Sequence, residues 1–201
     1  MADAAAVDVR PVTPELWSDL ERFFGPSGAY SNCWCAFFRV RSKDFDAGCR
    51  ENGKANRELL HRLTLEGAVP GLLAYRDETP AGWVSVAPRE QFVRVGNSKL
   101  LRPEDAKAAD EQGVWSVVCF WTPRANRRQG ISAVLLEAAV DYAYANGANA
   151  VEGYPVDVSK KWIGGAGIYH GTVGQFERAG FVTARRPSDA RAVMRHQRRT
   201  P

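Results

Sequence analysis

The sequence predicts an α+β fold, an α/β sandwich in which a mixed central sheet is flanked by helices. Three observations predict it. First, Trp115-Ser116-Val117-Val118-Cys119-Phe120-Trp121-Thr122 is an apolar run rich in β-branched and aromatic residues, which reads as a buried strand. Pro123 ends it, a polar, basic turn follows, and from Ser132 the apolar spacing becomes helical. Second, Pro70–Tyr75 and Ala81–Ala87 are two strand-like runs separated by the turn Asp77-Glu78-Thr79-Pro80, the signature of a hairpin. Third, helical and strand patterns alternate along most of the remaining chain.

The elements follow in order. Val7 to Val12 alternates apolar and polar residues as a first strand. Thr13-Pro14-Glu15 then opens a helix, with Thr13 as N-cap; Leu16, Leu20, Phe23 and Phe24 form its apolar stripe and Gly25 stops it. Cys33-Trp34-Cys35-Ala36-Phe37-Phe38-Arg39 is aromatic enough to be either a plug beneath the sheet or the wall of a binding pocket. Asp44 to Glu66 reads mostly as helix, with Leu59, Leu60 and Leu63 as its buried stripe. Pro88 to Gly113 is a polar excursion long enough to suggest a functional role.

Past the central helix, whose apolar face holds Val134, Leu135, Ala138, Ala139 and Tyr142, Gly147 is a stop signal. Ala150–Pro155 is the next strand. Val156 to Gly171 reads as a connection, its Gly164-Gly165-Ala166-Gly167 cluster following no clear strand. Thr172 to Ala179 is a short helix, and Phe181–Arg186 and Ala192–His196 are the last strands. No linker or repeat divides the chain. The expected organisation is one domain over 1–201, with a core over 69–195 and the strand and helices of 7–66 packed on it.

Bulk properties exclude several classes. Hydrophobic content of 45% and charged content of 25% suit a globular protein rather than a disordered one. A net charge of +4 favours anionic ligands without pointing strongly to nucleic acid. Arg185, Arg186, Arg191, Arg195, Arg198 and Arg199 make the late segment basic, a pattern that is usually a solvated face. No apolar run spans a membrane and no export signal is apparent, so a cytoplasmic location with reduced thiols is expected. Cys33 and Cys35 are too closely spaced for a zinc knuckle, so no metal is expected.

The basic turn Arg127-Arg128-Gln129-Gly130-Ile131-Ser132 carries the chemistry. A helix opening straight from such a turn presents free N–H groups and the positive end of its dipole, which suits a phosphate. Gly130 removes a Cβ where backbone must approach a ligand. This segment resembles the acyl-CoA-binding signature of the GCN5-related N-acetyltransferases (GNAT): Gln or Arg, two residues, Gly, one residue, then Gly or Ala. Arg127 and Gly130 match, and Ser132 departs from the last position.

The resemblance implies the acyltransferase fold, with acetyl-CoA as co-substrate and no metal. The amides from Arg128 to Ser132 would grip the CoA pyrophosphate, and the pantetheine arm would enter where the strand of Ala150–Pro155 diverges from the central one. A backbone N–H around Phe120, Trp121 and Thr122 would meet the developing oxyanion. Gln175-Phe176-Glu177-Arg178-Ala179-Gly180-Phe181 is similar to the family's late helix, but Phe176 stands where many members use a tyrosine to protonate the departing thiolate. Tyr169 is the substitute candidate.

The implied reaction moves an acetyl group to a small-molecule or peptide amine by direct transfer in a ternary complex. An alkyl amine of pKa about 10.4 costs about 4–5 kcal/mol to deprotonate at pH 7, which calls for a base. The central strand has no carboxylate, leaving Glu152 on the next strand or Glu90 in the excursion. The alternative function is a non-catalytic acyl-CoA sensor of the same fold. Pairing across the terminal strands would suit a homodimer.

Overall fold

A computed structural model describes residues 6–105, 108, 111–159 and 165–198. Strand β1 (Asp8–Pro11) is followed by a 3-10 turn at Pro14–Leu16 and by helix α1 (Trp17–Phe24). Helices α2 (Ser42–Gly48) and α3 (Lys54–Leu65) precede the hairpin of β2 (Leu72–Arg76) and β3 (Thr79–Pro88). A short helix α4 (Val93–Asn97) leads to β4 (Val114–Trp121), the long helix α5 (Ile131–Ala145) and β5 (Ala150–Gly153). Helix α6 (Val173–Arg178), β6 (Val182–Ser188) and β7 (Arg191–Gln197) complete the chain.

The seven strands form one sheet in the order β1-β2-β3-β4-β5-β7-β6. β4 and β5 run parallel, joined by the α5 crossover, and the other neighbouring pairs are antiparallel. The sheet is therefore mixed and flanked by helices, as the sequence predicts. Its two faces are sorted by the two-residue period of the strands. Leu72 and Ala74 of β2 join Val84 and Val86 of β3 beneath α5, while Leu73, Tyr75 and Trp83 face α1 and α3 with Trp17, Leu20, Phe24 and Leu60. Burying a side chain such as Leu135 or Leu136 fully is worth about 1.5–3 kcal/mol.

Four expectations need correction. The helix expected over 44–66 is two helices. Glu51, Asn52 and Gly53 all have positive φ, which an uninterrupted right-handed helix does not tolerate. The buried face of α3 is Asn56, Leu60 and Thr64; Leu59 and Leu63 are only half-buried. On α5 the fully buried face is Ile131, Leu135, Leu136, Ala139, Val140 and Ala143, so Val134, Ala138 and Tyr142 sit on its flank. Thr13 occupies the capping position of the Pro14 turn without a side-chain capping bond.

The polar excursion is anchored: Phe92 and Val95 are buried, and the Arg94 N–H donates to the Phe38 carbonyl. The Gly165–His170 stretch of the expected connection is a 3-10 helix, whereas Gly164 lies outside the described residues. No helix among the described residues is long and apolar enough to cross a membrane.

Candidate active site

The end of β4 builds the first part of the site. Asn126 Nδ2 donates to the Ala81 carbonyl at 3.2 Å and ties the turn to β3. Arg127 Nε donates to the Thr122 carbonyl at 3.0 Å. Gln129 is held on both sides, donating to the Ala125 carbonyl at 2.8 Å and accepting from Arg76. Its side chain fixes the turn and leaves its amide to do something else. Arg128 (φ 61) and Gly130 (φ 79) are left-handed on either side of it, a pattern that gathers successive N–H groups into a concave, anion-binding nest.

No side chain caps α5. Among the described residues, no backbone N–H from Arg128 to Ser132 donates to another protein group. A Cβ added at Gly130 would meet nothing within 4 Å, so the space before these amides is open. The Ile131 side chain is in the core, so only its amide faces the turn, while the Arg127 and Arg128 side chains are exposed.

The second part is a parting of strands. β4 and β5 pair from Val114↔Ala150 to Val117↔Gly153, and there the pairing stops. Beyond Gly153 the chain turns away: Val156 N–H donates to the Gly171 carbonyl and Val173 N–H to the Val156 carbonyl, both at 3.0 Å. Phe176 drives the wedge. A Cβ at Gly153 would lie 2.0 Å from Phe176 Cε1, so the ring needs glycine there. The ring is fully buried, edge-on to Phe120 at 6.2 Å and to Phe181 at 4.9 Å.

A cavity of about 340 Å³ opens in front of it, lined by Phe120, Thr122, Arg127, Ser132, Ile168, Tyr169, Gly171, Thr172 and Gln175. Gln175 Nε2 donates to the Ser132 carbonyl at 2.8 Å and links α6 to the first turn of α5. Phe176 therefore stands behind the cavity wall, where it shapes the opening without lining it.

The third part is an aromatic cavity of about 430 Å³, which shares Phe120 and Tyr169 with the first. Tyr30, Phe37, Phe38, Phe45 and Trp121 line it together with all four cysteines and His170. The aromatic stretch that the sequence left open between plug and pocket does both. Trp34 packs in the core beside Trp17, and Cys33, Cys35, Phe37 and Phe38 line the cavity. Burial pushes the Cys33 thiol up to about 12. The Cys119 thiol, 3.8 Å from Cys35, together with burial, pushes Cys35 well above the usual thiol range. Both are protonated at pH 7 and behave as small apolar groups. Among the described residues no group of three or more His, Cys, Asp or Glu could hold a metal ion.

Among the polar residues that line this cavity, Tyr169 and His170 bear on the chemistry. Tyr169 lies between Trp121, 5.5 Å away, and Tyr30, 5.3 Å away, and burial raises its pKa. His170 Nδ1 is 3.0 Å from the Val118 carbonyl, on the edge of β4 that β5 has left. Since a carbonyl only accepts, Nδ1 carries the hydrogen and Nε2 keeps its lone pair. Dense packing, with Arg191 nearby, lowers the His170 pKa to about 4 although the ring keeps some exposure, so the imidazole is neutral at pH 7. Sequence reasoning missed His170, Cys119, Tyr30 and Phe45 as neighbours, because nothing in their spacing joins them.

Glu152 is not brought to the cavities. It is buried on β5, with Oε1 3.5 Å from both Arg89 and Arg195 and Oε2 accepting from Tyr154 at 3.3 Å. Its oxygens are taken up by these three partners, and it lines neither cavity. Glu90 is exposed and lines neither cavity.

The late arginines are also committed. Arg186 bonds Asp157 at 2.7 Å, Arg195 bonds Glu111 at 2.7 Å, Arg191 donates to the Tyr154 carbonyl and Arg185 to the Arg102 carbonyl. Arg199 lies outside the described residues.

The model of the acetyltransferase (GNAT) family matches residues 33–159. Among solved structures, PaiA N-acetyltransferase from Thermoplasma acidophilum, in complex with coenzyme A, is 13% identical with a TM-score of 0.54, over 96% of this chain and 99% of that one. The GNAT domain of S. lividans PAT is 18% identical with a TM-score of 0.51, over 98% of each chain. A GNAT family acetyltransferase from Brucella melitensis, in complex with acetyl-CoA, is 14% identical with a TM-score of 0.50, over 98% of this chain and 90% of that one. No curated protein matches this chain significantly in sequence. The family match covers well over half of the chain, and the parted strands and open amides lie on the fold it describes: this protein belongs to the GNAT family of acetyltransferases.

Proposed function

We propose that this protein transfers an acetyl group from acetyl-CoA to an amine by direct attack in a ternary complex. The observation that carries the reading is the set of unpartnered amides from Arg128 to Ser132, open to solvent at Gly130 and contiguous with the parting of β4 and β5. The residues fit the cofactor: a nest of N–H groups and two exposed arginines suit a diphosphate. The cavity between Thr122 and Thr172 suits a slender polar arm.

When bound, acetyl-CoA supplies an activated acyl carbon and a thiolate leaving group. The backbone of Phe120 to Thr122, free of a strand partner on the β5 side, supplies donors to the thioester oxygen. Tyr169 lines both cavities and keeps its proton at pH 7, which supports it as the group that protonates the departing sulfur. Neutral His170 is the better candidate than Glu152 to receive the amine proton, because it lines the aromatic cavity with a free Nε2.

Isothermal titration with acetyl-CoA tests the reading. We expect saturable binding in the wild type, and no heat with either acetyl-CoA or CoA would refute it. The sensor alternative is favoured by one observation: among the described residues no Asp or Glu lines either cavity. Binding without thiol release across an amine panel would select it.

A further inference from the structure

Three adjoining cavities differ in charge and polarity. The proposed cofactor cavity meets the aromatic cavity at Phe120 and Tyr169. The aromatic cavity in turn meets a third, of about 690 Å³, at Phe37, Phe38 and His170. That third cavity is lined by Arg41, Arg94 and Arg191, and among the described residues by no Asp or Glu.

Arg41 is paired with Asp44 at 3.0 Å. Arg94 and Arg191 form no ion pair among the described residues. Arg94 Nε donates to the Phe37 carbonyl at 2.6 Å and Nη1 to Ser42 Oγ at 3.0 Å, while Nη2 is buried with no hydrogen-bond partner. Burial lowers the pKa of both arginines, and at Arg94 the charge of Asp46 offsets only part of that.

We infer that the acetyl acceptor is an aromatic amine carrying an anionic group at its far end. This rests on the acetyl-transfer reading above. The amine points to Phe120 and Tyr169, the ring fills the aromatic cavity, and the anion meets Arg94 and Arg191.

Each part has a physical reason. An ammonium group in a cavity of rings and protonated thiols would lose its hydration with no carboxylate to replace it. Cation–π attraction does not rescue it, since the Arg94 guanidinium already covers Phe37 at 3.9 Å and Phe45 at 5.7 Å and repels a second cation. An aromatic amine is unprotonated at neutral pH because its lone pair is shared with the ring. It therefore needs no strong base before attack, which suits a site whose facing base is a weakly basic imidazole. As the C–N bond forms and the C–S bond breaks, the nitrogen loses one proton to His170 or water, and the sulfur gains one from Tyr169 or water. An unpaired guanidinium binds a carboxylate by charge-assisted hydrogen bonds.

The test is thiol release by the full chain with acetyl-CoA and three acceptors: para-aminobenzoate, its neutral analogue para-aminobenzamide, and cationic benzylamine. We expect kcat/KM for para-aminobenzoate to exceed that of the amide by at least about tenfold, and that of benzylamine by more. R94Q should raise KM for para-aminobenzoate by about tenfold with kcat little changed, a larger loss than it causes for the amide. Arg94 also holds Phe37, so two further readouts guard against misfolding: R191Q, and the salt dependence of the wild type. Added salt should raise KM for para-aminobenzoate and not for the amide.

Equal use of the acid and its amide, or preference for benzylamine, would overturn the inference and leave acetyl transfer standing. Binding of CoA by calorimetry with none of the three acceptors acetylated would do the same to the inference while keeping the cofactor assignment. Absence of CoA binding would remove both.

Discussion

Two arginine-rich regions of this chain look alike in sequence and behave in opposite ways. The turn at Arg127 and Arg128 leaves the amides from Arg128 to Ser132 without a partner among the described residues and its charges exposed. The arginines of β6 and β7 are bound inward: Arg186 to Asp157, and Arg195 to Glu111 and Glu152. The amides of the first region are available to a ligand, whereas Arg186 and Arg195 of the second hold the molecule together. What separates them is backbone conformation. Left-handed residues at Arg128 and Gly130 turn amides outward, whereas the extended β7 puts Arg195 opposite Glu152 in the β5–β7 register.

This contrast can be broken or sharpened by experiment, beginning with the largest effect. Arg195→Ala takes one of two guanidiniums from the buried Glu152, leaving Arg89 and the Tyr154 hydroxyl, and should lower stability by about 2–4 kcal/mol. Chemical denaturation reads that loss, and CoA affinity should stay within about twofold of wild type, since no backbone donor of the turn changes. The reverse is expected of Gly130→Val. A Cβ there meets no protein atom, but it strains a left-handed residue and fills the space before the amides. CoA affinity should fall about tenfold or more by calorimetry, with a change in stability of about 1–2 kcal/mol.

Arg191 ties the inward group to the site, because its charge adds to the burial that lowers the His170 pKa to about 4 from its ordinary value of 6.5. The unfolded chain takes up a proton below pH 6.5 that the folded chain refuses. Stability is therefore full above about pH 6.5 and falls as pH drops toward 4, by roughly 1–3 kcal/mol given the ring's residual exposure. His170→Asn should flatten that part of the stability–pH curve. The smallest effect is at Arg128→Ala. An exposed charge beside a helix terminus is worth about 0.3–1 kcal/mol, so CoA affinity should drop about two- to fivefold, and less at high salt.

Much of the frame was legible in the sequence because it depends on local periodicity. The hairpin, the strand before Pro123, the helix after Gly130 and the two last strands lie within a few residues of where their patterns put them. The break near Asn52 escaped because helical spacing of Leu59 and Leu63 outweighed a turn signal in Asn52-Gly53.

The site was only half legible. The basic turn is contiguous, so its glycine and arginines could be read together. The partners of Glu152 come from Arg89 and Arg195, on distant segments, so its isolation on a strand resembled a catalytic carboxylate when it is a paired one. The aromatic cavity gathers Tyr30, Cys49, Cys119 and His170 from four segments, and no spacing announces that.

The most direct test of the central claim is residue-resolved. In an amide nitrogen–proton correlation spectrum titrated with CoA, the largest shifts should fall on Arg128 to Ser132, with a second set on Phe120 to Thr122, while β6 and β7 stay unmoved. Saturating CoA that leaves the amides of Arg128 to Ser132 where they were, or that shifts Arg185 to Arg195 instead, would contradict the account.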